Sequence, residues 1–316
     1  MTLPPRWLVG LLTLVLVTLM ALLGAQVKLE YVREVLRRPR ALIVGLAGQL
    51  LLLPLLAAAL FVAFRTFPEI PQGAFIIAAV PGGAASNMVT YWGRGRLSLS
   101  VVLTACSTLA GVVTIPLWVN VGLRLGGGGM VHELSVLPML VRSFVLLVVP
   151  LGIGMAVGAW KPALAERMKR FTRRVVIVMM IAVIVAYIAI RWPFIVAEFS
   201  LAVVFAAVLF DVIATLGGWG AARGFGLDGR DAFTIGIEVG IQNVVIALLI
   251  IEVLGRPDLL PFVGYYALVK MPLMIFWVLV LGQPEAVPRS RLAGSTGSPS
   301  TSGRQGGDTA PGFGPS

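Results

Sequence analysis

The sequence predicts an all-α polytopic membrane protein, and three observations predict it. Of 316 residues, 58% are hydrophobic and only 12% charged, where a soluble chain is about half apolar and about a quarter charged. Mean hydropathy is +0.96. The apolar residues also gather into nine stretches, over 7–26, 40–64, 72–93, 97–124, 135–160, 174–192, 197–222, 231–254 and 260–282. Most are close to the roughly 20 residues that cross a bilayer as helix. Backbone polar groups in lipid must pair inside their own segment, which leaves helices for runs of this length. The short alternating strands of an outer-membrane barrel are not found in the sequence.

Each stretch has its own signature. The first follows Arg6 and ends near Leu23-Gly24-Ala25, a pattern a secretory signal also shows. It is long for a signal, and cleavage would leave the basic loop 28–40 outside, so it reads as a span. The second has Gln49 alone among leucines, an expensive place for an amide without a partner. At the middle of the third stands Pro81-Gly82-Gly83-Ala84-Ala85-Ser86-Asn87. That run predicts either a kink with close packing or an interrupted helix, whose free carbonyls attract cations and free N–H groups attract anions. In the fourth, Ser100 and Thr104 lie four apart, with Ser107 and Thr108 one turn on. Such hydroxyls either bond back to their own helix or face a common site.

The fifth stretch has Arg142 near an end, where it snorkels, and the sixth is plain apolar helix. Asp211 lies inside the seventh, as the partner of Arg142 or Lys270, a cavity residue or a proton site; a structural ion pair is the first expectation. The eighth contains Gly236-Ile237-Glu238-Val239-Gly240-Ile241-Gln242-Asn243. A carboxylate in mid-membrane costs several kcal/mol unless it is paired, protonated or bound to a cation. Glu238 and Gln242 share one helical face, with Asn243 beside them. In the ninth, Lys270 either faces a cavity or snorkels or pairs with Asp211. Residues 284–316 are dominated by Gly, Ser, Pro and Thr, which predicts a disordered cytoplasmic tail after a membrane domain of 1–283.

Basic residues orient the spans. Eighteen Lys and Arg follow the odd-numbered stretches and five flank the other side, which places the first set in the cytoplasm and the N-terminus outside. The net charge of +11 belongs to these loops and needs no nucleic acid. Cys106 and His132 each stand alone of their kind, so disulfide frameworks, zinc, haem and iron–sulfur sites lack ligands. Carboxylate, amide and hydroxyl oxygens with free carbonyls suit a hard cation: Na⁺ is the candidate, and H⁺ on Glu238 its rival. There is no G-x-x-x-x-G-K-[ST] loop. An intramembrane hydrolase finds Ser86 and Glu238 but no histidine in any span, and the tail contains no output module of a sensor. No obligate protein partner is evident.

Three blocks then carry a resemblance: Pro81 to Asn87 as quoted, Leu97-Ser98-Leu99-Ser100-Val101 through Ser107-Thr108-Leu109, and Ile237 to Asn243. With the spacing between them, they resemble the bile acid:sodium symporter family, including bacterial homologues of the apical sodium-dependent bile acid transporter, over roughly residues 10–282. The resemblance implies two inverted repeats forming a core (about 40–124 and 197–254) and a panel, with two broken helices crossing in the core and two sodium ions behind the crossing. One Na⁺ would be held by Ser86, Asn87, Ser100, Thr104 and Glu238. The other would be held by Gln49, Glu238, Gln242 and backbone carbonyls near Val239 and Ile241. Substrate is expected beside Ala84, Ala85, Asn87 and Asn243, at the half-helix N-termini, with Lys270 as the attracting charge.

The function implied is sodium-driven symport of an organic anion by alternating access, in a plasma membrane, with the bacterial cytoplasmic membrane as the expectation. Bacterial members often have ten helices, and nine here would mean that the first is lacking. Departures cluster where substrate is read. Family members commonly have Thr at the position of Ala84 and a His-Asn pair in the last helix, where this chain reads Tyr265-Tyr266-Ala267-Leu268-Val269-Lys270-Met271-Pro272. A small carboxylate fits that neighbourhood as well as a bile-acid-like anion. A proton-coupled anion carrier, or an efflux carrier of the auxin or arsenite type, stays open as the alternative; the arsenite type would call on Cys106.

Overall fold

A computed structural model describes residues 6–125, 136–161 and 200–283, with scattered positions between 178 and 193. Its elements are α1 (Arg6–Gly24), α2 (Leu29–Leu36), α3 (Pro39–Ala47), α4 (Leu53–Ala63), α5 (Glu69–Ala79), α6 (Ala84–Trp92) and α7 (Leu97–Leu125). There follow α8 (Val136–Ser143), α9 (Val149–Trp160), α10 (Leu201–Gly224), α11 (Gly229–Gly240), α12 (Val244–Leu254) and α13 (Leu260–Leu281). Six stretches among the described residues are long and apolar enough to cross a membrane: Trp7–Gly24, Pro39–Ala63, Leu97–Leu125, Val136–Trp160, Leu201–Gly224 and Pro257–Leu281. Eleven of the nineteen residues of the expected span 174–192 lie outside the described residues, as does the whole of the expected tail 284–316.

Prolines shape several spans. Helix α3 joins α4, and α8 joins α9, through one wide π-turn each, at Gly48–Leu52 and Phe144–Val148. Pro54 and Pro150 follow these turns; neither has an N–H to donate, and the wider turn makes room for the ring without ending the span. The loop expected at 28–40 contains the short α2, whose Val35 turns inward while Leu29 and Leu36 stay exposed. Elsewhere, large apolar side chains face outward along the spans, with Leu14 63%, Leu55 66% and Leu279 78% exposed. Such an apolar exterior is what lipid solvates.

Two segments are interrupted in mid-course. Helix α5 stops at Ala79, where Pro81 has no N–H to donate and disfavours a helical residue before it while Gly82 and Gly83 add no helix support; Val80 is extended. Helix α11 stops at Gly240, and Asn243 restarts the chain as the N-cap of α12, its side-chain oxygen accepting the Ile246 N–H at 3.3 Å. The interruptions touch. Gly82 and Gln242 form an isolated antiparallel bridge, and the Asn243 N–H donates to the Pro81 carbonyl at 3.0 Å.

A charged cluster fixes the junction of α6 and α7 against the start of α11. Asp228 caps α11 by accepting the Asp231 N–H at 2.8 Å. Arg96 donates to Asp231 and, at 2.7 Å, to Asp228, with Glu34 3.6 Å away. The Arg96 N–H donates to Thr234 Oγ1 at 2.7 Å. Burial works against the charge of the Arg96 guanidinium, but Asp231, Asp228 and Glu34 outweigh it and raise its pKa above the ordinary value.

Candidate functional site

The bridge between the two interruptions lies beside the Glu238 carboxylate, which is fully buried and forms no ion pair among the described residues. Gly82 is required there by close approach: a Cβ on it would stand 2.9 Å from Glu238 Oε2. Helix α7 supplies hydroxyls from its first two turns. Ser100 Oγ is in hydrogen-bond contact with Glu238 Oε1 and lies 2.6 Å from Asn87 Oδ1. Thr104 Oγ1 is 2.9 Å from Glu238 Oε2 and from the Ser100 carbonyl. Each hydroxyl has one proton and faces two acceptors, so lone pairs outnumber hydrogens around this carboxylate. Ser86, at the start of α6, is buried beside it and donates to the Gly83 carbonyl at 2.7 Å. Ser107 and Thr108 stand apart from the cluster and bond back to the Thr104 carbonyl, at 3.1 and 2.7 Å.

On the other side of Glu238, the freed carbonyls of α11 are claimed by amides. The last carbonyls of a helix have no partner within it. Gln49 Nε2, placed by the wide turn after α3, donates to the Glu238 carbonyl at 2.9 Å. Gln242 Nε2 donates to the Glu238 and Val239 carbonyls at 3.0 and 2.8 Å. Both amides thereby turn their oxygens elsewhere. Gln49 Oε1 and Gln242 Oε1 are buried with no hydrogen-bond partner, as is Asn87 Nδ2. A buried unpaired amide oxygen costs about 1–3 kcal/mol, and a bound cation would remove that cost. One carboxylate, neutral oxygens and backbone carbonyls make a donor set for a hard cation.

A cleft opens at the crossing. Gly83, Ala84 and Ala85 of the first interruption and Asn243, Val244 and Val245 of the second line it, with Leu19 of α1. The first-turn N–H groups of α6 and α12 lie at this cleft, so it presents positive helix ends. Lys270 also lines it, buried, and its ammonium donates to the Gln242 carbonyl. Asp211 accepts from Trp277 Nε1 at 3.2 Å and interacts with the Lys270 charge without touching it, since the Lys270 ammonium donates to the Gln242 carbonyl. Arg142 is exposed at the end of α8.

The expected residues thus gather as Gln49, Ser86, Asn87, Ser100, Thr104 and Val239 around Glu238 and Ala84, Ala85, Asn243 and Lys270 at the cleft, with Gln242 at both. The Ile241 backbone lies in the link between them, its N–H donating to the Ile237 carbonyl at 2.9 Å. Sequence reasoning missed Tyr266, whose hydroxyl donates to the Gly240 carbonyl at 2.6 Å and accepts the Gln242 N–H at 3.2 Å. Its one signal was its spacing of four from Lys270, which puts both on one face of α13.

Comparison with known proteins gives concordant results. The model of the Sodium Bile acid symporter family matches residues 13–198. The ileal sodium/bile acid cotransporter of Oryctolagus cuniculus is 30% identical over 264 residues, covering 82% of this chain and 74% of that protein. The human protein of that name is 30% identical over 262 residues, covering 82% and 73%. The probable sodium/metabolite cotransporter BASS1, chloroplastic, of Arabidopsis thaliana is 27% identical over 253 residues, covering 78% and 59%.

Proposed function

The chain belongs to the sodium bile acid symporter family, a family of multi-pass transporters and not of enzymes, and we propose that it carries an organic anion across the membrane together with Na⁺. The observation that carries this reading is the oxygen cluster around Glu238, with its unpaired Gln49 and Gln242 amide oxygens where two interrupted helices meet. In it, Ser86, Asn87, Ser100, Thr104 and Glu238 hold one sodium ion. Gln49, Glu238, Gln242 and the carbonyls near Val239 and Ile241 hold a second. Two sodium ions and Lys270 against Glu238 and Asp211 leave one positive charge, and a monovalent anion completes neutrality. The anion lies in the cleft beside Ala84, Ala85 and Asn243, facing Lys270, while Asn87, also expected beside it, does not line the cleft and contacts Ser100.

Alternating access follows from the cost of charge in lipid. Bound Na⁺ neutralises Glu238 and ties the interrupted helices together, so the loaded core rocks against the panel while an empty, charged core crosses less readily. Two inverted repeats are supported by matching order: a long span, an interrupted one and a long one occur as α3–α4, α5–α6, α7 and again as α10, α11–α12, α13. The antiparallel bridge between the interruptions agrees with their opposite senses. A count of nine spans requires one helix within 174–192. The eighteen-to-five bias of basic residues supports an outside N-terminus and a cytoplasmic tail, in a plasma membrane of bacterial type.

The test is uptake into proteoliposomes of small carboxylates and bile acids, with an inward Na⁺ gradient or with choline in its place. Uptake is expected to need Na⁺, and Lys270→Met to weaken anion affinity about tenfold or more, the loss of one charged contact. Uptake unchanged in choline would defeat sodium coupling. Unaltered affinity in Lys270→Met would remove that residue from the substrate site.

A further inference from the structure

We propose that Tyr266 is a positioning residue that presets the second cation site, an inference that rests on the sodium-coupled reading above. The argument begins at the end of α11. After Ile237, whose carbonyl accepts the Ile241 N–H at 2.9 Å, the next three carbonyls have lost their helical partners. Those of Glu238 and Val239 are taken by the Gln49 and Gln242 amides, the same groups whose oxygens are left for the ion. The third, on Gly240, is taken by the Tyr266 hydroxyl at 2.6 Å. Tyr266 also accepts the Gln242 N–H at 3.2 Å. One hydroxyl therefore joins the peptide groups on both sides of Ile241 and stands in for the helical ladder that the interruption removes.

This fixes Gln242 in particular. Its N–H is held by Tyr266 and its carbonyl by Lys270, one turn along the same face of α13. With both ends of the residue anchored, the side-chain oxygen has a defined place relative to Gln49 and Glu238. The anchor is itself rigid. Tyr266 is completely buried, its ring meets Phe210 edge-on at 6.2 Å, and the Lys270 ammonium lies 4.8 Å from the ring centre. The ring belongs to the core packing, while the hydroxyl alone reaches the ion-binding segment. The two contributions separate in a single substitution.

Tyr266→Phe keeps the ring and deletes the hydroxyl. In sodium-titrated uptake, the Na⁺ concentration for half-maximal rate is expected to rise about five- to twentyfold, the worth of an unpaired buried group. The maximal rate and the anion KM at saturating Na⁺ should be preserved. A merely structural tyrosine would lower the amount of protein or the maximal rate without moving the sodium midpoint. An unmoved midpoint in the variant, beside a wild type that needs Na⁺, overturns this proposal alone; a wild type indifferent to Na⁺ overturns the reading beneath it. Should Tyr266→Phe not reach the membrane, 3-fluorotyrosine at 266 retains the hydroxyl and alters its hydrogen-bond strength. A shifted sodium midpoint then supports the proposal, and an unshifted one sinks it.

Discussion

Glu238 is held without a positive side chain against it among the described residues, and that arrangement bears on the residues around it. Desolvating a carboxylate costs more than a few hydroxyl hydrogen bonds return, and a bound cation would offset that cost. Gly82 belongs to the same logic, because its missing side chain is the space in which Oε2 sits. Gly82→Ala is expected to displace the carboxylate and raise the sodium midpoint of uptake at least about tenfold, or 1.4 kcal/mol, while the protein still reaches the membrane. A normal midpoint would show that the carboxylate does not need this space. Residues such as Glu238, Gln49 and Gln242 were legible in the sequence because polar groups in apolar spans must have a reason to be there. Tyr266 was not legible: an aromatic among apolar neighbours reads as core, and its ring is core. Only coordinates show where its oxygen points.

Among the elements, the two interruptions differed in how plainly they could be read. Pro81 with Gly82 and Gly83 announces a kink or a break by covalent structure. The second interruption contains no proline, and its ends are set by contacts: Tyr266 on the Gly240 carbonyl and the Asn243 cap on α12. The Arg96 cluster was invisible for a related reason, since Glu34, Arg96, Asp228 and Asp231 come from three separate loops and helix starts. It holds α7, which supplies Ser100 and Thr104, in register with α11, which supplies Glu238. Arg96→Gln leaves the buried Asp231 without its cation, and should destabilise the fold by roughly 2 kcal/mol, read as a fall in melting temperature of the purified protein. An unchanged melting temperature would mean that the cluster is solvated and contributes nothing.

At the scale of the molecule, the apolar spans were the most legible feature, because lipid selects on length and composition over many residues at once. The starts and ends of Pro39–Ala63, Leu97–Leu125 and Val136–Trp160 lie within a residue or two of the stretches read from hydropathy alone. The short α2 escaped because eight residues with a narrow apolar edge read as loop. What joins these scales is the crossing itself, where the oxygens near Glu238 and the cleft that holds the helix N-termini and Lys270 share Gln242. A cation and an anion that both bound at this crossing would stabilise one and the same arrangement of it, which is the thermodynamic content of coupling. The most direct measurement is the thermal stability of the purified protein titrated with NaCl against choline chloride at equal ionic strength. A ligand that binds only the folded state raises the melting temperature by mass action. The wild type is expected to gain stability saturably with Na⁺ and Glu238→Gln to show no gain; a wild type that responds alike to both salts, or a variant that responds like the wild type, would contradict a sodium site built on Glu238.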